Sequence, residues 1–398
     1  FKDGAAVGAD VLADENKMKL VKKNYISVTA TKEMKPDAII KGINEDGSLK
    51  LDFTTPDKML DYFQEYNESK EEKDKIYIRG HVLCWHSQTP DFFFKDKEGE
   101  DGKLLDKEAM KARLKTYIEA VIDHVEEKYP GLVYCWDVVN EAIIPEDGEK
   151  GGLRVYNGGK ETFYHQIYKD SNEYIISAFK YATEHYKEKY PERSETVKFF
   201  YNDYGETNPT KVECICNLAD AIQKENVRID GIGMQSHHSV EAPSAEELYN
   251  AITAYGKHVK EVQITELDIL ASKSYDGSDK KKKAEQIKEA YRYKEMVDAI
   301  LKAKKDGANV TALVFWGVAD DDSWLVTDEF SDGRHNMPLL FDEELQAKYS
   351  YWAIVDPKKL PPNLKEAAVL QNGDKNWTLA DPIEIGTDGN SFMKLLWN

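Results

Sequence analysis

Short apolar runs alternate with longer amphipathic segments along this chain. Eight runs have the length of a buried strand, and they begin at residues 5, 25, 76, 132, 197, 229, 262 and 310. Between most of them, apolar residues recur every three or four positions, as in 107–129 and 171–190, which predicts helices. Strand and helix therefore alternate eight times, and this order predicts an α/β fold of the closed (β/α)8, or TIM, barrel type.

The barrel pattern extends over residues 1–356, which we expect to form one domain because α/β barrels span about 200 to over 400 residues. A doubly wound sheet is the structural alternative, but it usually has fewer strands and a glycine-rich phosphate turn, which this sequence lacks. At residue 357 the pattern stops at a proline-bearing boundary. We expect residues 357–398 to form a C-terminal extension, either a tail packed on the barrel or the start of a truncated carbohydrate-binding module.

The composition predicts a folded, soluble protein, since 41% of the 398 residues are hydrophobic and 32% are charged. The net charge of -19, with scattered Lys and Arg, argues against nucleic-acid and anionic-membrane partners. No stretch approaches the roughly 18 apolar residues of a membrane helix, and the first residues lack a signal-peptide pattern. The basic run Lys280 to Lys283 is expected to be a solvated loop or the start of a helix.

The cysteines do not predict a redox or metal function. Cys84, Cys135, Cys214 and Cys216 are too few and too irregularly spaced for a disulfide framework or a zinc site. The histidines also lack an HExxH-like spacing. We therefore expect the cysteines to pack in the core, and we expect neither a metal nor another cofactor.

Polar and aromatic residues follow the predicted strands at their carboxyl ends, which is where barrel enzymes carry their chemistry. Six successive strands, the third to the eighth, change in this way within a few residues. The residues concerned are His81, Trp85, His86 and Gln88; Trp136, Asp137, Asn140 and Glu141; Asn202, Asp203 and Tyr204; Gln235, His237 and His238; Glu266 and Asp268; and Trp316 and Trp324.

Glu266 is unexpected at its position. It lies among apolar residues of a predicted buried strand, where an unpaired carboxylate is costly in free energy. We predict that it faces the mouth of the barrel with Glu141 as its partner. Two carboxyl groups with several tryptophans are typical of glycoside hydrolysis, since tryptophan faces stack on pyranose rings. A single glutamate, or a histidine such as His81 or His237 seen alone, is more often structural.

The chain resembles glycoside hydrolase family 10, the retaining endo-β-1,4-xylanases, through seven segments in the same order: GHVLCWHSQTP, WDVVNEA, YNDY, QSH, ITELD, WGVADDDSW and PLLFD. The resemblance extends from about Ala5 to about Asp356. It implies a barrel that cleaves the xylan backbone internally with retention of configuration. The implied partner is xylan or a xylo-oligosaccharide, and we expect the chain to act as a monomer.

Residue by residue, the resemblance implies that Glu141 is the acid/base and Glu266 the nucleophile. It also implies that His237 hydrogen-bonds the nucleophile, that Asn140 binds the 2-hydroxyl, and that Tyr204 lines the leaving-group side. The other implied residues are Lys35, His81, Trp85, Gln88, Gln235, Trp316 and Trp324 for substrate binding, with Asp137 and Asp268 in support.

Retention requires the two carboxyl groups to be about 5 to 5.5 Å apart. We expect the pKa of Glu141 to be raised by apolar walls such as Trp85 and by the charge of Glu266, so that Glu141 can donate a proton. Other retaining β-1,4-glycanases, and a xylan-binding barrel without catalysis, are the functional alternatives. Polymer-degrading enzymes are usually exported, so we expect secretion, with the cytoplasm as the alternative.

One departure from the family pattern concerns the residues before Met34 and Lys35. The family usually carries glutamate and asparagine there, in AENxMK, and these bind the sugar one subsite further toward the non-reducing end. Thr31 and Lys32 occupy those places here. Thr31 is shorter than glutamate and Lys32 cannot accept a hydrogen bond, so we expect a weaker or differently tuned glycone subsite.

The double substitution of Thr31→Glu with Lys32→Asn is therefore expected to tighten the binding of short xylo-oligosaccharides. It restores the acceptor and the reach that the subsite lacks. Isothermal titration with xylotriose would measure the change. Unchanged affinity in the double variant would refute this explanation.

Overall fold

A computed structural model describes residues 1–327, 330 and 332–361. All eight predicted strands are present, each within a few residues of its expected position, and the (β/α)8 barrel class is confirmed. The strands are β1 Lys2–Val7, β2 Ser27–Ala30, β3 Tyr77–Trp85, β4 Val133–Asn140, β5 Lys198–Asp203, β6 Gly231–Met234, β7 Glu261–Leu270 and β8 Val310–Phe315.

The helices follow the strands along the chain. They are α1 Ala9–Ala13, α2 Glu15–Asn24, α3 Pro36–Ile39, α4 Thr54–Glu68, α5 Lys107–Lys128, α6 Phe163–Tyr168, α7 Glu173–Lys189, α8 Pro191–Ser194, α9 Pro209–Lys224, α10 Ala245–Tyr255, α11 Asp279–Lys305 and α12 Tyr349–Val355. The two helices predicted from 107 and from 171 are thus confirmed as α5 and α7. The basic run Lys280 to Lys283 is the start of α11, one of its two expected forms.

The chain divides into two compact units. Among the described residues, the first unit comprises Phe1–Val28, Gln235–Thr253 and those from Gln263 onward. In it, β1 pairs in parallel with β8, from Lys2 opposite Ala312 to Ala5 opposite Phe315. The strand His237–Ser239 pairs in parallel with the end of β7, with His237 opposite Asp268. This register places two polar residues of the predicted site side by side.

The second unit comprises Thr29–Met234 and Ala254–Val262. Its strands follow one another in space as they do in sequence, from β2 to β6. In the β3–β4 pair His81 lies opposite Asp137, and Trp85 lies opposite Asn140. Asn140 also lies opposite Asn202 of β5. Parallel pairing therefore brings the polar carboxyl ends of β3, β4 and β5 to the same edge of the sheet.

Glycines allow close packing at two positions of the second unit. A Cβ on Gly80 would lie 2.2 Å from the ring of Trp136, and one on Gly231 would lie 2.2 Å from the ring of Phe200. Such distances are far inside van der Waals contact, so larger residues would force these rings to move. Trp136, fully buried, donates its indole N–H to the Tyr186 hydroxyl at 2.9 Å. Its side chain is therefore part of the core.

Helix starts follow local sequence chemistry. Asp106 caps α5 by accepting from the backbone N–H of Ala109 at 2.8 Å, and Asn208 caps α9 in the same way through Thr210 and Lys211. Such side chains satisfy N–H groups that have no partner inside the helix. Helix α9 also begins with proline at its first position, where the missing N–H costs nothing.

All four cysteines are free thiols, and Cys84, Cys135 and Cys216 are buried as expected. Cys214, on α9, is only half-buried, so the expectation of core packing is wrong for that residue. The reason is helix geometry, because a residue two positions from Cys216 points to a different face.

Two antiparallel hairpins were not predicted. They are formed by Ile40–Ile43 with Leu49–Leu51, and by Tyr156–Asn157 with Lys160–Glu161. The second hairpin is exposed throughout and therefore has no alternating apolar pattern to reveal it.

The C-terminal extension predicted for residues 357–398 lies outside the described residues from position 362 onward. A short 3-10 turn at Pro357–Lys359 follows α12, and Lys359 Nζ lies 3.8 Å from the centre of the Trp352 ring. None of the helices within the described ranges is both long and apolar enough to cross a membrane.

Candidate active site

Glu141 follows the last residue of β4 in a conformation that few non-glycine residues adopt. Its φ is 56°, in the left-handed region. Its backbone N–H donates to the carbonyl of Asn202 at 2.9 Å, and its carbonyl accepts from Nε of Arg154 at 2.7 Å. Strained backbone of this kind persists where neighbouring groups hold it, and it is concentrated at functional sites.

The carboxyl group of Glu141 is held by an indole. Trp85 Nε1 donates to Glu141 Oε2 at 3.1 Å, and the Trp85 side chain is buried. The ammonium of Lys35, itself buried, lies 5.0 Å from the centre of the Trp85 ring. A cation over an aromatic face is attracted by the ring quadrupole, so these residues form one cluster beside Glu141.

A buried ion pair joins β3 to β4 through Arg79 and Asp137. The two terminal nitrogens of the Arg79 guanidinium each donate to Asp137 at 2.8 Å, and His81 Nδ1 lies 2.8 Å from the same carboxylate. Burial alone would raise the pKa of Asp137, but Arg79 and His81 hold that pKa below its ordinary value. Asp137 is therefore ionised, and its contact with Nδ1 fixes the orientation of the His81 ring.

Asn140 is anchored to β5. Its side-chain oxygen accepts from Asn202 Nδ2 at 2.9 Å, and Asn140 is buried. Because this bond engages the oxygen, the amide orientation of Asn140 is set by its neighbour. Asn202 also accepts from the Glu141 backbone, so a single residue of β5 holds both polar positions at the end of β4.

A buried hydrogen-bond network connects the residue after Glu141 to α9. The backbone N–H of Ala142 donates to the Tyr201 hydroxyl at 2.9 Å, and that hydroxyl donates to Asp203. Lys211 Nζ donates to Asp203 at 2.9 Å. Burial raises the pKa of Asp203, and the Lys211 ammonium opposes that shift.

Tyr204 and Gln88 are the most exposed of the predicted residues of this unit. The Tyr204 side chain accepts from Arg154 Nη2 at 2.9 Å, and Lys211 Nζ lies 4.3 Å from its ring centre. Gln88 follows β3 with a φ of 45°, and its carbonyl accepts from the Asp37 backbone at 3.0 Å. The exposed Gln88 side chain is not packed in the cluster around Glu141.

His86, the neighbour of Trp85, is a neutral side chain. Burial and, to a smaller extent, the nearby cation of Arg154 together lower its pKa to about 2. The His86 ring packs edge-on against Trp85, with 6.0 Å between ring centres. These contacts favour the structural role over the functional one for His86.

The first unit carries a second cluster, around Glu266. His237 Nε2 lies 3.0 Å from Glu266 Oε2, and its Nδ1 lies 2.9 Å from Asp268 Oδ1. Trp324 Nε1 donates to the other oxygen of Asp268 at 2.9 Å. Glu266 and Asp268 are both buried. Alternation along β7 puts these two carboxylates on the same face, where one imidazole bridges them.

The imidazole of His237 is held in its charged form. Burial alone would lower the pKa of His237, but Asp268 and then Glu266 raise that pKa well above its ordinary value. A cation between two carboxylates stabilises both as anions. This arrangement suits a carboxylate that has to remain ionised.

Aromatic rings surround the imidazole. Trp324 packs edge-on against His237 with ring centres 5.0 Å apart, and Trp316 does so at 6.4 Å. The backbone N–H of Trp316 donates to the carbonyl of Leu267 at 3.1 Å, which ties the end of β8 to β7. Gln235, also predicted, is buried at the end of β6.

Several residues that support these clusters were not among the predicted site residues. Arg79 and Lys211 could have been inferred, because a buried aspartate at a strand end needs a nearby cation. Arg154 lies in an irregular loop. Such a loop has no helix or strand periodicity from which the orientation of the Arg154 side chain could be inferred. The histidines, cysteines and acidic residues of the described ranges form no group of three or more that could hold a metal ion.

Comparisons with known proteins agree with this fold. The sequence model of glycosyl hydrolase family 10 matches residues 1–357. An endo-1,4-beta-xylanase A of Thermotoga maritima is 39% identical over the whole of this chain and 34% of its own length. A protein of Acetivibrio thermocellus named exoglucanase XynX is 33% identical over 97% of this chain and 32% of its own length. The chain thus spans about a third of the length of these relatives.

A solved structure covers most of the described chain. It is the intracellular xylanase of Thermoanaerobacterium saccharolyticum, as a glutamate-to-alanine mutant in complex with xylotetraose. It is 32% identical, has a TM-score of 0.70, and is matched over 89% of this chain and 95% of its own. The family match over nearly all of the barrel confirms the resemblance drawn from the sequence, and with it the assignment to an enzyme family. This chain belongs to glycosyl hydrolase family 10.

Proposed function

We propose that this chain is a retaining endo-1,4-β-xylanase with Glu141 as the acid/base and Glu266 as the nucleophile. One observation supports the proposal above all, namely that the two glutamates have different hydrogen-bond partners. Glu141 accepts from the neutral indole N–H of Trp85, whereas Glu266 pairs with the charged imidazole of His237. Different surroundings of this kind divide two carboxyl groups between the acid role and the nucleophile role.

In the first step, Glu266 attacks the anomeric carbon of the sugar on the glycone side. Glu141 gives its proton to the glycosidic oxygen as that bond breaks, and a covalent glycosyl-enzyme forms. The imidazolium of His237 keeps Glu266 ionised before attack. It also stabilises the carboxylate when that group leaves in the second step.

In the second step, Glu141 acts as a base. It takes a proton from water as the water attacks the anomeric carbon from the face that the leaving group vacated. Two inversions give net retention. This mechanism requires the two carboxyl groups to be about 5 to 5.5 Å apart, because the same carbon has to be reached from both sides.

The residues that we propose to bind substrate come from both units. Lys35, His81, Trp85 and Asn140 would bind the reacting sugar from the second unit, with Asn140 on the 2-hydroxyl. Tyr204 would line the leaving-group side, and Gln88 would contact substrate from its exposed loop. From the first unit the binding residues would be Gln235, His237, Trp316 and Trp324.

Residues 1–356 are proposed to be the catalytic barrel, with the extension beginning at Pro357. We propose that the chain acts as a monomer on xylan or xylo-oligosaccharides outside the cell, without nucleic-acid or membrane partners. One similar solved structure is that of an intracellular xylanase, so action in the cytoplasm is the alternative.

A β-1,4-glucanase is the second candidate function. It is favoured by one observation, that a relative 33% identical to this chain is named an exoglucanase. The xylose unit lacks the hydroxymethyl group of the glucose unit. Because the two polymers otherwise share the β-1,4 linkage, the relative activity of the enzyme on each of them distinguishes the two functions.

The wild-type chain is expected to cut unbranched β-1,4-xylan into mixed short oligomers and to leave carboxymethyl-cellulose intact. The first product should have the β configuration, which NMR detects before mutarotation. Glu266→Ala should lower kcat/KM by roughly four orders of magnitude or more, because it removes the nucleophile.

Glu71→Ala is the matched control, since Glu71 is an exposed glutamate that pairs with Lys73. It should retain wild-type activity. An α-configured first product would overturn the retaining mechanism. Cleavage of cellulose in place of xylan would establish the glucanase instead, and binding of xylan without cleavage would exclude both enzymes.

His237→Asn is expected to destabilise the protein in a pH-dependent way. A group whose pKa is raised by folding stabilises the folded state fully below its unfolded pKa, about 6.5 for histidine, and this effect is lost as the pH rises through the folded value. The difference in unfolding free energy between wild type and His237→Asn should therefore be about 1.5–3 kcal/mol at pH 6 and smaller at pH 9. Urea denaturation at both pH values measures it.

Trp324→Phe is the control for this experiment. It removes a hydrogen bond to Asp268 from an indole, which does not titrate, so its destabilisation should be similar at pH 6 and pH 9. A loss for His237→Asn that stays constant or grows with pH would show that the imidazole is neutral in the folded protein.

A further inference from the structure

Arg154 is the residue that joins three segments around Glu141. Its Nε donates to the Glu141 carbonyl at 2.7 Å, its Nη2 donates to the Tyr204 hydroxyl at 2.9 Å, and its Nη1 donates to the Tyr156 carbonyl at 3.0 Å. These acceptors follow β4, follow β5 and belong to the exposed hairpin at 156–161. One planar guanidinium therefore fixes the spacing of all three.

The backbone of Arg154 is itself fixed. Its N–H donates to the carbonyl of Ala142 at 2.8 Å, and the neighbouring Leu153 forms an antiparallel bridge with Ile143. The Asp147 carboxylate accepts from the two N–H groups that follow Arg154, at 2.7 and 2.9 Å. The loop thus doubles back along the segment after Glu141, so that the side chain starts from a held position.

The direction of the guanidinium matters because Glu141 has a strained backbone. A φ of 56° in a non-glycine residue costs free energy, and it persists only if surrounding groups determine it. The Glu141 N–H is already bound by Asn202. Arg154 binds the Glu141 carbonyl, which leaves the peptide units on both sides of the carboxyl-bearing carbon restrained.

The planar fork also explains why the residue is an arginine. A guanidinium offers five N–H donors in fixed directions, whereas a lysine ammonium is a flexible point charge. The cation also lies 5.8 Å from the centre of the Tyr204 ring. Tyr204 is exposed and proposed to line the leaving-group side of the site. The Arg154 guanidinium therefore connects the leaving-group side to the backbone of Glu141.

We propose that Arg154 is a positioning residue for proton donation, which holds Glu141 and Tyr204 in register so that the carboxyl group meets the glycosidic oxygen. This inference rests on the proposed function. Proton donation should depend on Arg154, whereas attack by Glu266 should not. Substrates whose leaving group needs a proton should therefore be affected far more than substrates whose leaving group does not.

The test compares two aryl β-xylobiosides with the same glycone. Phenolate is a poor leaving group that needs a proton, whereas 2,4-dinitrophenolate leaves without one. In Arg154→Met, kcat/KM for phenyl xylobioside should fall about 10- to 100-fold, a part of the effect of general acid catalysis. For 2,4-dinitrophenyl xylobioside kcat/KM, which reports the first chemical step, should change less than about threefold.

Arg154→Lys should recover part of the loss on the phenyl substrate, because an ammonium can donate to the Glu141 carbonyl but cannot hold all three acceptors. This variant keeps the charge and serves if Arg154→Met does not fold, as judged by circular dichroism. Arg113→Met is the matched control. Arg113 donates to the carbonyls of Phe92, Phe93 and Lys95 in another loop, so the ratio between the two substrates should stay at its wild-type value.

Equal losses on both substrates would overturn the inference, since they would mean that Arg154 only stabilises the fold. Unchanged rates on the phenyl substrate would overturn it as well. A wild-type chain that cleaves neither aryl xylobioside nor xylan would refute the proposed function itself. The two failures are therefore distinguishable.

Discussion

The structure depends on the compensation of buried carboxylates. An ionised carboxylate taken from water into the interior costs several kcal/mol unless a cation or several donors replace the lost hydration. At strand ends in both units this chain buries aspartates and supplies a partner to each. The pairs are Asp137 with Arg79, Asp203 with Lys211 and Asp268 with His237.

These pairs determine the directions of the side chains proposed to act on substrate. Asp137 orients His81, and Asp268 orients the imidazole that meets Glu266. Glu141 differs because its partner is a neutral indole and its backbone is restrained from Asn202 and Arg154. The two glutamates therefore have different surroundings, with a neutral indole donor at the carboxylate of Glu141 and an imidazole cation at the carboxylate of Glu266.

The barrel was predictable because apolar runs of strand length and amphipathic helical segments leave a strong periodic pattern. The positions of the candidate site residues at strand ends were predictable, because the carboxyl ends of parallel strands lie at one edge of the sheet. The hairpin at 156–161 was not, since its exposed strands lack alternation, and neither was Arg154, whose direction depends on how the loop doubles back. The roles of Glu141 and Glu266 remain predictions that only chemistry can test.

The most direct test is to trap the glycosyl-enzyme. A 2-deoxy-2-fluoro-β-xylobioside with a dinitrophenolate leaving group should inactivate the wild-type chain, because the fluorine slows the second step more than the activated first step. Mass spectrometry of the digested protein should then find one glycosyl group on the peptide of β7, attached to Glu266. A label on another residue, or a chain that hydrolyses xylan and is never labelled, would contradict the double-displacement account.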